Sequence, residues 1–283
     1  MTWFKNILLP IDFSQASLGA AQYAALLARR FQSEVTLLHV IEIPQYGGLE
    51  FASPLYNNLP RRRAECEGAL EQVVQTHFLG IPSRKIIEVG DSAERILDYA
   101  NQHNPDLILM PTHGWSVFRE FLLGGVTAKV LHDAHCPVWT GVHLKPAKGL
   151  STPVLLTNIT CAIDLGPQSQ ETLSWAAWFA EEFGARLTVV HVLSVLGQHE
   201  LANLELMKET AEAKLHLLMK GLPTPPCLEI LMGDPAKAIC AHVKESASDL
   251  LVIGRGTAGH AFGRLRSQTY AMIHQSVCPV VSI

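Results

Sequence analysis

Asn6-Ile7-Leu8-Leu9-Pro10-Ile11-Asp12 returns later in the chain as Asn158-Ile159-Thr160-Cys161-Ala162-Ile163-Asp164. Outward from that pair, Val35-Thr36-Leu37-Leu38-His39-Val40 returns as Leu187-Thr188-Val189-Val190-His191-Val192. Gly90-Asp91 matches Gly233-Asp234, Asp106-Leu107-Ile108 matches Asp249-Leu250-Leu251, and Cys136-Pro137-Val138 matches Cys278-Pro279-Val280. The register is consistent: 164 − 12 and 191 − 39 give 152, 233 − 90 and 249 − 106 give 143, and 278 − 136 gives 142. The chain is an internal duplication whose second copy is shorter, first between its second and third shared segments and again near its end.

The bulk composition fits two globular domains in 283 residues. With 48% hydrophobic and 17% charged residues, disorder is excluded as the general state. A net charge of −4 offers nucleic acid no sequence-independent attraction, so no nucleic-acid partner is expected. No apolar run reaches membrane-spanning length, and Met1-Thr2-Trp3-Phe4-Lys5 lacks a signal-peptide pattern. The six cysteines form no close-spaced pair, which suits free thiols in a reducing compartment. The expected location is cytoplasmic, with no membrane partner.

Each copy alternates strand and helix. Asn6–Ile11 is a nearly unbroken apolar run, the mark of a strand buried on both faces. Asp12 or Ser14 can cap a helix over Ala16–Phe31. Strands follow at Val35–Ile41 and Lys85–Glu88, a helix at Ala93–Gln102, a strand at Leu107–Met110, a helix near Thr127–His132, and a last strand at Pro137–Val142. The second copy repeats this and ends with a strand at Pro279–Ile283. The pattern predicts an α/β fold: two tandem, open, twisted, parallel five-stranded sheets with helices on both faces, Rossmann-like. The domains are expected at 1–143 and 152–283, joined by a connector rich in lysine with Pro146 and Gly149. Arg61-Arg62-Arg63 follows a Gly/Pro/Asn-rich loop and reads as a solvated helix start, with an anion or partner patch as the minor alternative.

The chemistry concentrates after the fourth strand. Pro111-Thr112-His113-Gly114 is followed by nine residues and then Gly124-Gly125-Val126-Thr127, which open a helix. Gly114 permits a tight turn and close approach by a ligand. Gly124 and Gly125 sit where helix N-terminal N–H groups point outward, a site suited to phosphate, and Thr127 can add a hydroxyl. Asp12, at the same edge of the sheet, can accept from an adenine amine or a ribose hydroxyl. Read alone, the glycines can equally be loop closures and Asp12 a helix cap.

This pattern resembles the universal stress protein (UspA-like) family in its tandem two-domain form. Nearly the whole chain carries the resemblance: the strand ending Pro-x-Asp, the strand ending Leu-x-His-Val, the Gly-Asp before a helix and the closing Cys-Pro-Val strand. Nucleotide-binding members carry Gly-x-x-Gly, nine residues, then Gly-Ser or Gly-Thr. The resemblance implies that Asp12 and Val40 flank adenine and ribose, that Gly114, Gly124, Gly125 and Val126 surround the phosphates, and that Pro10 and Met110 line the pocket. It implies ATP or AMP as ligand, with or without magnesium. It also implies that the apolar closing strands pair, so that the halves form an intramolecular pseudo-dimer, with a homodimer as a further option.

The copies depart from the pattern differently. In the first, Pro111 replaces the leading glycine and Gly125 the hydroxyl-bearing residue. A hydrogen bond lost to a phosphate costs about 1.5–3 kcal/mol, roughly ten- to a hundredfold in affinity, so a weakened site is expected there. In the second, Arg266-Ser267 stand where Gly124-Gly125 do, and Gly256 stands where Gly114 does. Asp164, Val192, Gly254, Gly256, Ser267 and Gln268 are the candidates for this more doubtful site, where Arg266 either fills the pocket, the favoured reading, or donates to an anion.

Other motifs fall away. Gly254-Arg255-Gly256-Thr257-Ala258-Gly259 spells the dinucleotide fingerprint, but it follows a fourth strand and lacks the downstream acidic partner. No P-loop occurs. His132, His135 and Cys136 read as packing rather than metal ligands, and His39 and His191 as satisfied strand histidines. No catalytic triad can be argued from spacing. The expected function is adenine-nucleotide binding in a stress-response sensor or adaptor with an unknown protein partner. The competing readings are a nucleotide-free scaffold and an adenylating enzyme, the latter disfavoured because Pro10-Ile11-Asp12-Phe13-Ser14 lacks a Ser-Gly-Gly-type loop. Catalysis beyond slow ATP hydrolysis is not expected, since no general base or arginine finger is evident.

Overall fold

The computed structural model describes residues 4–42, 58–112, 123–141, 155–194, 203–255 and 264–283, the first four of the last segment by backbone alone. They fall into two compact units, one ending at Thr140 and the other running from Leu155 to Ile283.

In the first unit β1 (Asn6–Pro10), α1 (Gln15–Phe31), β2 (Glu34–Ile41), α2 (Leu59–His77) and β3 (Ser83–Val89) lead to α3 (Ser92–His103), β4 (Leu107–Leu109), α4 (Gly125–Asp133) and β5 (Val138–Thr140). The second unit runs β6 (Asn158–Ala162), α5 (Ser169–Phe183), β7 (Arg186–Leu193), α6 (Leu204–Met219), β8 (Cys227–Met232), α7 (Pro235–Glu245), β9 (Leu250–Ile253), α8 (Arg264–Gln275) and β10 (Val280–Ser282). The strand order is β3-β2-β1-β4-β5 in the first unit and β10-β9-β6-β7-β8 in the second, and the strands within each unit pair in parallel.

Strand registers carry the duplication into space. Asn6 pairs with Glu34 and Asn158 with Arg186, so both strands of each pair share the 152-residue offset. Thr36 pairs with Arg84 and Thr188 with Cys227, so the third strands are offset by 227 − 84 = 143. The shortening therefore falls between β7 and β8, outside the ladders.

Repeated residues hold these ladders. Ile7, Leu8 and Leu9 are almost wholly buried, as are Ile159 and Cys161. Asp106 Oδ2 accepts from the backbone N–H groups of Lys5 (2.7 Å) and Asn6 (2.9 Å); Asp249 does the same for Thr157 and Asn158. Each aspartate ties the start of a central strand to its neighbour. The Gly-Asp pairs also have a structural reason. Gly90 and Gly233 have φ of 143° and 119°, which disfavours a side chain, and the aspartates cap α3 and α7 through the N–H groups of Glu94 (2.9 Å) and Lys237 (3.0 Å). Pro137 and Pro279 turn their carbonyls to Ile108 and Leu251, each at 3.0 Å.

Helix packing differs between the units. α1 lays Ala20, Ala21, Ala24 and Ala28 on the sheet, whereas α5 buries Leu173, Trp175 and Phe179, the two rings stacked at 4.9 Å. Some expected boundaries shift: β3 is longer than Lys85–Glu88, β5 and β10 are shorter than expected, and α4 opens at Gly125 rather than near Thr127. The arginine triplet lies in the exposed first turn of α2, where Arg61 pairs with Glu65 (2.9 Å) and Arg63 with Glu67 (3.8 Å).

Candidate functional site

Chain direction decides where a ligand fits. In each unit the first three strands build outward to one side and the last two to the other, so the switch points lie between β1 and β4 and between β6 and β9. Open parallel sheets bind ligands outside the carboxyl ends of their strands at such points.

In the first unit Pro10 ends β1 beside Leu38, Val40 is half-buried in β2, and Met110 is 4% exposed with its N–H on the Trp139 carbonyl (3.0 Å). Asp12 is half-buried; its Oδ1 accepts from the Ser14 N–H (3.0 Å) and hydroxyl (2.6 Å). Ser14 caps α1 by accepting from the Ser17 N–H (3.2 Å). The cap is therefore Ser14, and Asp12 braces it.

Gly114 lies outside the described residues. Gly124 is the N-cap of α4 (φ −60°, ψ 141°), uncapped by a side chain, with its N–H on the Thr112 carbonyl (2.9 Å). The N–H groups of Gly125 and Val126 belong to the first turn and have no partner within the helix. Gly125 is exposed, and a Cβ there would meet nothing within 4 Å, so among the described residues this helix end has room for an anion. Thr127 is different: it is 4% exposed and its hydroxyl donates to the Pro111 carbonyl (3.0 Å). It fastens α4 to the end of β4 and does not offer its hydroxyl outward.

At the second switch point lies a cavity of about 400 Å³, within the size range of small-molecule sites. Asp164 and Gly166 line it from the β6–α5 turn, Val192 and His191 from β7, Gly254 from the end of β9, and Gln268 and Met272 from α8. Four of the six residues named for this site thus converge. Gly256 lies outside the described residues, as does the side chain of Ser267. Asp164 Oδ1 accepts from the Gly166 N–H (2.8 Å) and the Ser169 hydroxyl (3.1 Å), and its exposed Oδ2 has no partner among the described residues. A Cβ on Gly166 would lie 3.0 Å from Asp164 Oδ1, so the glycine lets the carboxylate fold over the turn.

Gln268 bridges α8 to α7. Its Oε1 accepts from the Ala236 N–H (3.0 Å) and its Nε2 donates to Asp234 (3.3 Å). The Lys237 N–H, then the Gln268 amide, hold the Asp234 carboxyl below its ordinary range. The second phosphate-type corner is rebuilt as well. Ser267, aligned with Gly125, is the fourth residue of α8, which begins at Arg264. Its N–H therefore points into the helix, whereas that of Gly125 is at an open end.

His191 Nδ1 lies 2.7 Å from the Ile163 carbonyl, and His39 Nδ1 2.8 Å from that of Ile11. A carbonyl only accepts, so Nδ1 carries the proton in both. Among the described residues no group of three His, Cys, Asp or Glu is placed to hold a metal; His132 pairs with Asp133. Nor is any described helix long and apolar enough to cross a membrane.

Sequence reading missed Gln168 and Thr172, which also line the cavity. The signal was in the comparison of copies: the 152-residue offset sets Ala16 and Ala20 at these positions in the first half.

The model of the universal stress protein family matches residues 4–140 and again 156–283. Universal stress protein MJ0531 of Methanocaldococcus jannaschii is 33% identical over 138 residues, covering 48% of this chain and 80% of its own length. Universal stress protein Sll1654 of Synechocystis is 33% identical over 135 residues, 48% of this chain and 83% of its own. Over both halves together, the fold matches the crystal structure of a universal stress protein from Archaeoglobus fulgidus with a TM-score of 0.71, at 24% identity and covering 98% of this chain and 97% of that one.

Proposed function

The chain belongs to the universal stress protein family, and from that premise we propose that it binds an adenine nucleotide, ATP or AMP, as the ligand-reading part of a stress-response sensor or adaptor. The observation that carries this reading is the convergence of Asp164, Val192, Gly254 and Gln268 on one cavity at the carboxyl edge of the sheet. An adenine-and-ribose group suits the mixture of apolar walls and one exposed carboxylate.

The tighter phosphate site belongs to the first half. There α4 begins at Gly125 with first-turn N–H groups that no side chain caps among the described residues. An anion at such a helix end gains both hydrogen bonds and the dipole. In the second half the equivalent backbone lies inside α8, so recognition relies less on phosphate there.

Calorimetric titration of the full chain with ATP and AMP tests this. Saturable binding is expected, with one site weakened at least tenfold by Gly125→Glu, which places a like charge where the phosphate would sit. An acid suits a helix N-terminus and the position is open, so the fold is expected to hold. Absence of binding at millimolar nucleotide overturns the proposal.

A further inference from the structure

Two buried polar atoms beside the second-half cavity have no hydrogen-bond partner among the described residues. Thr172, in the first turn of α5, is 1% exposed, and its Oγ1 has no hydrogen-bond partner among the described residues. Gln168, the N-cap residue of α5, makes no side-chain capping bond, and its buried Oε1 is likewise unpartnered. Both residues line the cavity, and their oxygens converge on one spot. A Cβ placed on Gly254 would lie 3.2 Å from Thr172 Oγ1 and 3.8 Å from Gln168 Oε1. Gly254 therefore keeps its side of that spot clear. Buried polar atoms are nearly always paired, so two unpaired acceptors converging beside a cavity call for a reason.

The first half shows that the fold does not need them. Its helix α1 carries Ala16 and Ala20 at the equivalent positions, and Ser14 and Ser17 satisfy one another beside Asp12. Two polar side chains have thus been placed where alanine serves the scaffold. Packing gives no account of that, whereas a ligand that brings hydrogen-bond donors does.

We infer that Gln168 and Thr172 form a specificity subsite of the second-half cavity, accepting hydrogen bonds from a neutral donor on the bound nucleotide. The inference rests on the nucleotide reading of this cavity. The shared chemistry is an N–H or O–H group, carried by the exocyclic amine of adenine or by a ribose hydroxyl. Pairing with it satisfies both oxygens and distinguishes this site from the first-half site, which lacks them. A ligand missing the donor leaves the acceptors buried and unpaired, and sites built this way discriminate strongly.

The test follows the Gly254 backbone amide by NMR in the full chain during titration. The ligands are AMP, purine riboside monophosphate (which lacks only the amine) and 2′-deoxy-AMP. AMP is expected to saturate this signal, and one of the other two to bind about tenfold more weakly. A deficit for the purine riboside assigns the amine; a deficit for the deoxynucleotide assigns the hydroxyl. Thr172→Ala with Gln168→Ala, the pair the first half already carries, abolishes that preference, and Thr172→Ser alone retains it. Binding of AMP at Gly254 with equal affinity for all three ligands, or a preference unchanged in the double variant, overturns the subsite but leaves nucleotide binding standing. A Gly254 signal that no nucleotide moves overturns both the subsite and the second-half nucleotide site.

Discussion

Phe13 and Leu165, one in each unit, have the same left-handed φ of 62° in the turn directly after Asp12 and Asp164. Large side chains rarely adopt this conformation, and here it occurs twice, in the turn that carries the conserved-in-duplicate carboxylate. In the first unit the Phe13 ring lies 4.6 Å from that of His39, which is itself held by the Ile11 carbonyl. Strain kept in both copies at the same place marks the turn as positioned for its aspartate rather than for its own stability.

Asparagine tolerates the left-handed region and β-branched residues do not. Leu165→Asn is expected to unfold at higher urea than Leu165→Val, the two separated by about 1–2 kcal/mol. Equal midpoints would remove backbone strain as the explanation.

The histidine bond beside this turn should be needed for stability in each unit. Replacing His191 with Phe leaves the Ile163 carbonyl without its donor, at a cost of about 1–3 kcal/mol. Chemical unfolding measures the loss, and His39→Phe is expected to give a similar one through Ile11.

At the open end of α4, Gly125→Ser has room for its side chain. It restores the hydroxyl that the nucleotide-binding pattern carries at this position. A gain of roughly ten- to a hundredfold in the affinity of one nucleotide site is expected, read by calorimetry. An unchanged affinity would mean that phosphate does not reach Gly125.

Burial pushes the thiols of Cys240 and Cys278 from 9.0 up to about 11. A raised pKa means that the folded state holds its proton longer than the unfolded one. The stabilisation is complete below pH 9.0 and is lost as pH rises toward about 11. Unfolding free energy is therefore expected to fall over this window, and less steeply in Cys240→Ala/Cys278→Ala. At neutral pH, alkylation followed by mass spectrometry should modify the exposed Cys227 first and the buried Cys161, Cys240 and Cys278 last.

The duplication made the fold legible because its shared residues are those that build the scaffold. The apolar runs of β1 and β6, the positive-φ Gly90 and Gly233 and the capping Asp91 and Asp234 all act through local backbone chemistry. Such roles follow from residue type and spacing, so one dimension is enough to read them. The inward turn of the Thr127 hydroxyl is not legible in the sequence, because its acceptor, Pro111, is sixteen residues away and meets it only across the end of β4. The use of Gln268 on Asp234 and Ala236, and the meeting of Gln168 and Thr172 at Gly254, likewise span separate elements. The sequence by itself determined two parallel α/β units and the family they resemble. Only the tertiary structure decided which polar atoms are spent within the scaffold and which are left for a ligand, because that depends on distances between segments that the chain keeps far apart.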